Sequence, residues 1–241
     1  MIRRRPDHSG GDVVRGLLGA LILVGLLMPG HGWAVQNVLD TDSFGGTDTN
    51  TLTTYNANWV AQDTVNTQNL TIQGTPGVGA VNNSTYGASY RTGQTWTDDQ
   101  WAELTIDGTV SSYMFLVGVR VKSDNTWFGY YCGVDNGVDN NYGIFQWSGF
   151  GNGNRLATVA QAKAAGDVVN CEVVGTVITL RVNTTSIVTY DTVSDGTKFS
   201  TGNPGLAITD ISGPRRNGGS WRAGSVSAGS ENSGFRRRNV Q

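Results

Sequence analysis

Histidine is the residue this chain almost lacks. Its two histidines, His8 and His31, both fall in an N-terminal stretch that reads as a removable leader. Beyond that stretch there is no imidazole for a Ser-His-Asp or Cys-His nucleophile, for a His-ligated metal, or for a general base near neutral pH. Chemistry would have to come from carboxylates, tyrosines or arginines. Glycoside hydrolysis usually needs two carboxylates, roughly 5 Å or roughly 6.5–9.5 Å apart. The glutamates are Glu103, Glu172 and Glu231, and the last lies in a polar tail. Glu103 and Glu172 read either as a catalytic pair or as solvated strand carboxylates beside Lys or Arg. Tyr131 or Tyr90 with Arg120 or Arg91 would be the material of a lyase-type site. Binding without catalysis is the leading expectation.

The elements that must position these groups are strands. Alternation of apolar and polar residues marks Gln100–Asp107, Tyr113–Lys122, Trp127–Val134 and Tyr142–Trp147. Asp167–Val174 and Thr176–Asn183 form an apparent hairpin around Gly175. No helix of ordinary length fits. Many antiparallel strands joined by polar turns mean a sandwich or a barrel.

Strand parity makes a binding surface concrete. If Ala102, Leu104 and Ile106 face the core, Trp101, Glu103 and Thr105 face outward. The same rule puts Trp127 and Tyr131 outside when Phe128, Tyr130, Cys132 and Val134 are inside. With Val117, Val119 and Val121 inward, Arg120 points out. A face carrying Trp101, Glu103, Arg120, Trp127 and Tyr131 suits a sugar: rings stack on pyranose C–H faces and charged forks hold hydroxyls or carboxylates. The alternative is that these aromatics fill the core or lie under a covering loop.

Cys132 and Cys171 share inward parity. They read either as one disulfide, which an oxidising compartment would favour, or as two buried thiols. With no base nearby, neither is a nucleophile.

The N-terminal stretch has the parts of a secretory signal peptide over 1–34. Arg3, Arg4, Arg5 and Arg15 precede an apolar run from Gly16 to Pro29, and Gly32-Trp33-Ala34 supplies small residues before a cut at Val35. The alternative, an uncleaved anchor, would need about 20 apolar residues. Removing these 34 of 241 residues leaves 207, which suits one domain over 35–228. Its four Arg and two Asp come off totals of 17 basic and 19 acidic residues, leaving 13 and 17. That acidic balance argues against nucleic acid or an anionic membrane as partner, and against membrane insertion once the leader is gone. Residues 229–241 have no hydrophobic period, end in Arg236-Arg237-Arg238, and read as a disordered basic tail.

Several short motifs occur in order: Asp99-Gln100-Trp101-Ala102-Glu103, Val119-Arg120, Gly129-Tyr130-Tyr131, Leu156-Ala157, Gly166-Asp167, Val182-Asn183 and Asn203-Pro204-Gly205-Leu206. Over Asp42 to Ser225 the chain resembles the laminin-G-like jelly rolls of the concanavalin A-like lectin/glucanase superfamily, in its secreted bacterial branch. The resemblance implies an all-β, antiparallel jelly-roll sandwich. Glucanases of that superfamily carry E-x-D-x-E on one strand; here the strand reads Glu103-Leu104-Thr105-Ile106-Asp107, with no third acid. Alginate lyases pair a Q-[IV]-H strand with a Tyr-bearing strand, and the His is absent. The resemblance also implies a structural Ca²⁺, for which Asp40, Asp42 and Asp210 are the candidate ligands; otherwise these are turn-capping aspartates. No other cofactor is expected. The reading is a secreted (extracellular or periplasmic), non-catalytic module that binds a glycan or other extracellular polymer. The alternatives are a glycoside hydrolase or polysaccharide lyase on the same fold, and a structural or adhesive module.

Overall fold

A computed structural model describes residues 34–47, 50–62, 70–73, 77–80, 85–106, 114–123, 127–134, 141–149, 153–196, 199–210 and 218–228. The expected leader (apart from Ala34) and the expected tail lie outside these residues. All described residues belong to one compact unit, Gly32–Gln241.

Strands dominate the described residues. In chain order the strands are β1 (Ala34–Asp42), β2 (Trp59–Ala61), β3 (Leu70–Ile72), β4 (Val78–Ala80) and β5 (Thr85–Arg91). Then come β6 (Gln100–Ile106), β7 (Met114–Ser123), β8 (Trp127–Val134), β9 (Asn141–Ser148) and β10 (Gly153–Ala162). The last five are β11 (Val168–Val174), β12 (Val177–Val182), β13 (Thr185–Asp191), β14 (Asn203–Asp210) and β15 (Gly218–Ala228). The only α-helix among the described residues is the four-residue α1 (Leu52–Tyr55), capped by the Thr51 hydroxyl. None is long and apolar enough to cross a membrane.

Two sheets result. The larger runs β13-β12-β11-β6-β15-β4-β3, with β1 also paired to β15; the smaller runs β10-β9-β8-β7-β14-β5-β2. All pairings are antiparallel. The chain changes sheet between β1 and β2, β2 and β3, β4 and β5, β5 and β6, β6 and β7, β10 and β11, β13 and β14, and β14 and β15, and these crossings make the sandwich a jelly roll. Gly175, at φ 56°, turns the β11–β12 hairpin where a side chain would be strained.

Alternation builds the core between the sheets. Ala102, Leu104 and Ile106 of β6, Phe115, Val117 and Val119 of β7, Cys132 and Val134 of β8, and Val169, Cys171 and Val173 of β11 form one buried cluster. Truncating Leu104 to Ala would remove part of that contact at a cost of about 2–5 kcal/mol. Cys132 and Cys171 are disulfide-bonded, with Cα atoms 5.3 Å apart, so one covalent link ties β8 of the smaller sheet to β11 of the larger.

The smaller sheet departs from simple alternation. Arg120 sits at φ 51°, and the β7–β8 register shifts between Val119 and Lys122. This bulge reverses parity: Val117 and Val119 face the inner core, whereas Val121 joins a second buried cluster with Leu116, Tyr131, Phe145 and Trp147. Both faces of this sheet therefore carry buried apolar side chains.

Candidate functional site

The five residues expected to form one aromatic platform do not share a surface. Trp101 and Glu103 lie on β6 of the larger sheet; Arg120, Trp127 and Tyr131 lie on β7 and β8 of the smaller. The parity of Trp101 and Tyr131 is outward, as alternation requires, yet both are covered, at 1% and 0% exposed. The Tyr131 hydroxyl donates to Gln62 Oε1 at 2.5 Å, and Gln62 Nε2 donates to the carbonyls of Phe128 (2.7 Å) and Lys122 (3.1 Å). Burial raises the Tyr131 phenol pKa, so it stays neutral.

Arg120 is committed elsewhere. Its Nε donates to the Asp98 carbonyl at 2.9 Å, Nη1 to Phe199 at 3.2 Å and Nη2 to Gly175 at 2.8 Å. It pins three connecting segments at one end of the sandwich and has no fork to offer a ligand. Desolvation lowers its pKa, opposed by Asp99 and Asp98. The Trp127 side chain lies outside the described residues.

What does assemble is a polar groove on the outer face of the larger sheet. Val169, Cys171 and Val173 point inward, so Asn170 and Glu172 point outward beside Glu103 and Trp101. Asn170 stands opposite Glu103, and Glu172 opposite Trp101. Arg181 flanks Asn170 from β12, and Arg222 flanks Glu103 from β15. Glu103, Asn170, Glu172, Arg181 and Arg222, with Gln36 of β1, line a groove of about 640 Å³. A second hollow of about 490 Å³ shares Glu103, Val168 and Arg222 with it and continues past Thr105 and Ser220 to Tyr55.

Both glutamates have both oxygens occupied. Glu103 Oε1 accepts from Arg222 Nε at 2.5 Å and Oε2 from Asn170 Nδ2 at 3.2 Å. Glu172 Oε1 meets Arg181 Nη2 at 2.9 Å, and Oε2 accepts from Gln36 Nε2. The pair anticipated as a catalytic candidate thus sits diagonally on neighbouring strands of one face, each member balanced by an arginine. Asn170 follows from the same alternation that places Cys171 inward. Gln36 and Arg222 come from the two ends of the domain, and no local pattern points to them.

Asp40 and Asp42 meet a guanidinium instead of an open cation site. Arg91 Nε donates to Asp40 Oδ2 at 2.7 Å, and Nη1 to Asp42 Oδ2 at 3.3 Å. Trp59 Nε1, the Phe44 amide and the Tyr55 hydroxyl take the rest of Asp42, at 2.8, 2.8 and 3.0 Å. Burial and Asp42 raise the Tyr55 pKa. Asp210 belongs to the other sheet, and its side chain lies outside the described residues. Among the described residues no group of three or more His, Cys, Asp or Glu could hold a metal ion.

No family model matches the chain, and no curated protein matches it. Solved structures do. A Bacillus subtilis protein of unknown function with a galectin-like fold superposes with a TM-score of 0.54 at 6% identity, over 80% of this chain and 99% of that one. A laminarinase from Flavobacterium sp. UMI-01 gives 0.50 at 9% identity, over 78% and 100%. A non-specific endo-β-1,3(4)-glucanase of family GH16 gives 0.50 at 8% identity, over 80% and 91%. At these identities the likeness is one of fold, and that fold is the concanavalin A-like, galectin-like jelly roll.

Proposed function

We propose that the groove on the larger sheet binds carbohydrate and that the chain is a non-catalytic module. The observation that carries this reading is the state of the two glutamates. A carboxyl that protonates a leaving group, or a carboxylate that attacks a sugar, needs an oxygen free to face the substrate. Here all four oxygens already accept from Arg222, Asn170, Arg181 and Gln36. Such a lattice of fixed donors and acceptors is suited to hydroxyl recognition. Two of the similar structures are named as enzymes of β-glucans, which makes a glucan the first ligand to try. The groove supplies its own polar groups, so binding in this reading needs no metal, and EDTA leaves it unchanged.

A glycan array on residues 35–241 tests the proposal, with laminarin and other β-glucans among the spots. Selective signal that falls on Glu103→Gln or Arg222→Ala supports it; an array with no signal removes it. The second reading, a glycoside hydrolase, is favoured by the proximity of Glu103 and Glu172 in one groove. Release of reducing ends from a bound glycan, lost in both Glu103→Gln and Glu172→Gln, would establish that reading instead.

We further propose export, with processing before Val35. The leader pattern and the Cys132–Cys171 bond both support an oxidising compartment. N-terminal sequencing that finds Met1 on the mature protein would refute it.

A further inference from the structure

β1 changes character at Leu39. On its C-terminal side, Asp40 and Asp42 are tied to Arg91. On its N-terminal side Val35, Val38 and Leu39 are 48%, 50% and 40% exposed, and none of residues 35–39 is buried. The ladder to β15 shifts register between Val38 and Asp40. The N-terminal half still pairs with β15 from Ala34 to Val38, and Asn37 Nδ2 donates to Ser227 Oγ at 3.1 Å, so a half anchored by buried ion pairs and a half held by the exposed ladder meet at Leu39.

The N-terminal half lies against the outward side of β15 at Gly224. Ala223 is in the core, so Gly224 has outward parity. A Cβ at Gly224 would meet the Asn37 carbonyl oxygen at 1.6 Å and Trp101 Nε1 at 2.9 Å. The missing side chain is what lets β1 lie there. From that position Gln36 Nε2 reaches past β6 to Glu172 and to Asn170. Beneath is Trp101, buried, its Nε1 without a hydrogen-bond partner among the described residues. A buried unpaired donor is costly and is normally satisfied. The Arg222 guanidinium, on a half-exposed side chain, lies 5.7 Å from the centre of the ring as a second cover.

We infer that residues 35–39 are a strap over a further sugar subsite whose floor is the Trp101 indole. This rests on the reading of the groove as a carbohydrate site. With the strap lifted, the indole face would stack on a pyranose ring and its N–H would gain an oxygen acceptor. Asn170 and Glu172 Oε2, released from Gln36, would take hydroxyls. Arg181 still holds Glu172 Oε1 and Glu103 keeps both its partners, so the opened groove still has no second free carboxylate for hydrolysis. The sugar is neutral, because Glu103 and Glu172 are each balanced by an arginine, leaving no net charge to recruit an anionic one. The strap lowers apparent affinity by the fraction of time it is closed.

Val35 and Ser227 stand directly opposite each other and are exposed, so a Val35→Cys/Ser227→Cys variant locks the strap by a disulfide. Two variants free it: deletion of residues 35–38, and Gly224→Ala, which drives a methyl into Asn37. The first readout is oxidation of Trp101 by N-bromosuccinimide, located by peptide mass spectrometry. Oxidation should be at least tenfold slower in the lock than in the wild type, and faster in whichever freed variant keeps its thermal transition. Equal rates in lock and wild type overturn the strap. The second readout is the array of neutral oligosaccharides and laminarin. Signal at least tenfold weaker in the lock supports the subsite. Equal signal in lock, wild type and freed protein overturns the subsite while the groove reading stands. No signal from wild type or freed protein overturns both.

Discussion

Arg91 and Asp42 form an ion pair inside the protein, Nη1 to Oδ2 at 3.3 Å, with side chains only 5% and 3% exposed. The guanidinium also lies 5.0 Å from the Trp59 ring centre. A charge removed from water needs its partner more than the partner adds to stability. Arg91→Met should therefore destabilise by roughly 3–5 kcal/mol, because Asp42 would be left buried and uncompensated. Arg91→Met/Asp42→Asn should recover part of that loss. Urea denaturation of the two variants checks it; equal stability of Arg91→Met and wild type would mean that the pair is not closed in solution.

The disulfide leads to a second expectation. Cys132 and Cys171 are 39 residues apart, and a loop of that length corresponds to about 4 kcal/mol in the chain-entropy account. The Cys132→Ala/Cys171→Ala protein should lose about 2–5 kcal/mol and keep the same fold by circular dichroism. Thiol labelling of the unfolded, unreduced wild type should find no free cysteine. Two labels per chain would contradict the bond.

Acid stability should report on Asp167. Its carboxylate accepts from the Tyr142 hydroxyl at 2.6 Å, the Ala164 amide at 2.8 Å and Asn183 Nδ2 at 2.8 Å. Burial alone would raise its pKa; the three donors outweigh burial and lower it. The same contact, with burial, raises the Tyr142 pKa. A carboxyl with a depressed folded pKa binds fewer protons folded than unfolded. Its contribution is complete above the unfolded value near 3.8 and is lost as pH falls below it. Denaturation midpoints between pH 6 and pH 2 should show a shallower acid limb in Asp167→Asn than in wild type. Parallel limbs would exclude this carboxylate as a contributor.

Six of the longer strands, β6, β7, β8, β9, β11 and β12, were legible in the sequence, whereas β5, β10, β13 and β14, of seven to ten residues each, showed no clear alternation. Gln100–Ile106, Trp127–Val134 and the hairpin around Gly175 fall where alternation puts them. β2, β3 and β4 have three residues each, too few to make a period. β1 and β15 owe their places to each other across the whole domain. The site was less legible for three physical reasons. Outward parity is not exposure: Gln62 covers Tyr131 from 69 residues away, and Asn37 lies over Trp101. A single bulge at Arg120 reverses every side chain beyond it. The groove is closed by contacts with no local signature, Gln36 to Glu172 over 136 residues and Arg222 to Glu103 over 119. Of the expected ligand contacts, Glu103 lines the groove and Trp101 lies under the strap beside it.

Arg222 allows binding to be separated from folding. Its side chain is 53% exposed, and its partner Glu103 is 14% exposed. Surface ion pairs contribute about 0–1 kcal/mol, so Arg222→Ala should shift the thermal midpoint little. Hydrogen bonds from a charged donor to a ligand are worth about 1.5–3 kcal/mol. Loss of one that contacts sugar should then weaken binding roughly tenfold or more, since about 1.4 kcal/mol is a factor of ten. Trp101→Ala behaves differently: removing a fully covered indole should cost about 3–5 kcal/mol of stability, whatever its role in binding. The informative comparison is therefore a melt and a titration on Arg222→Ala and on Arg222→Lys. Lys keeps the charge but not the planar fork, so it should restore little if the fork holds hydroxyls. Full binding by Arg222→Ala, with an unchanged melt, would move the sugar away from Glu103 and leave this groove without a ligand.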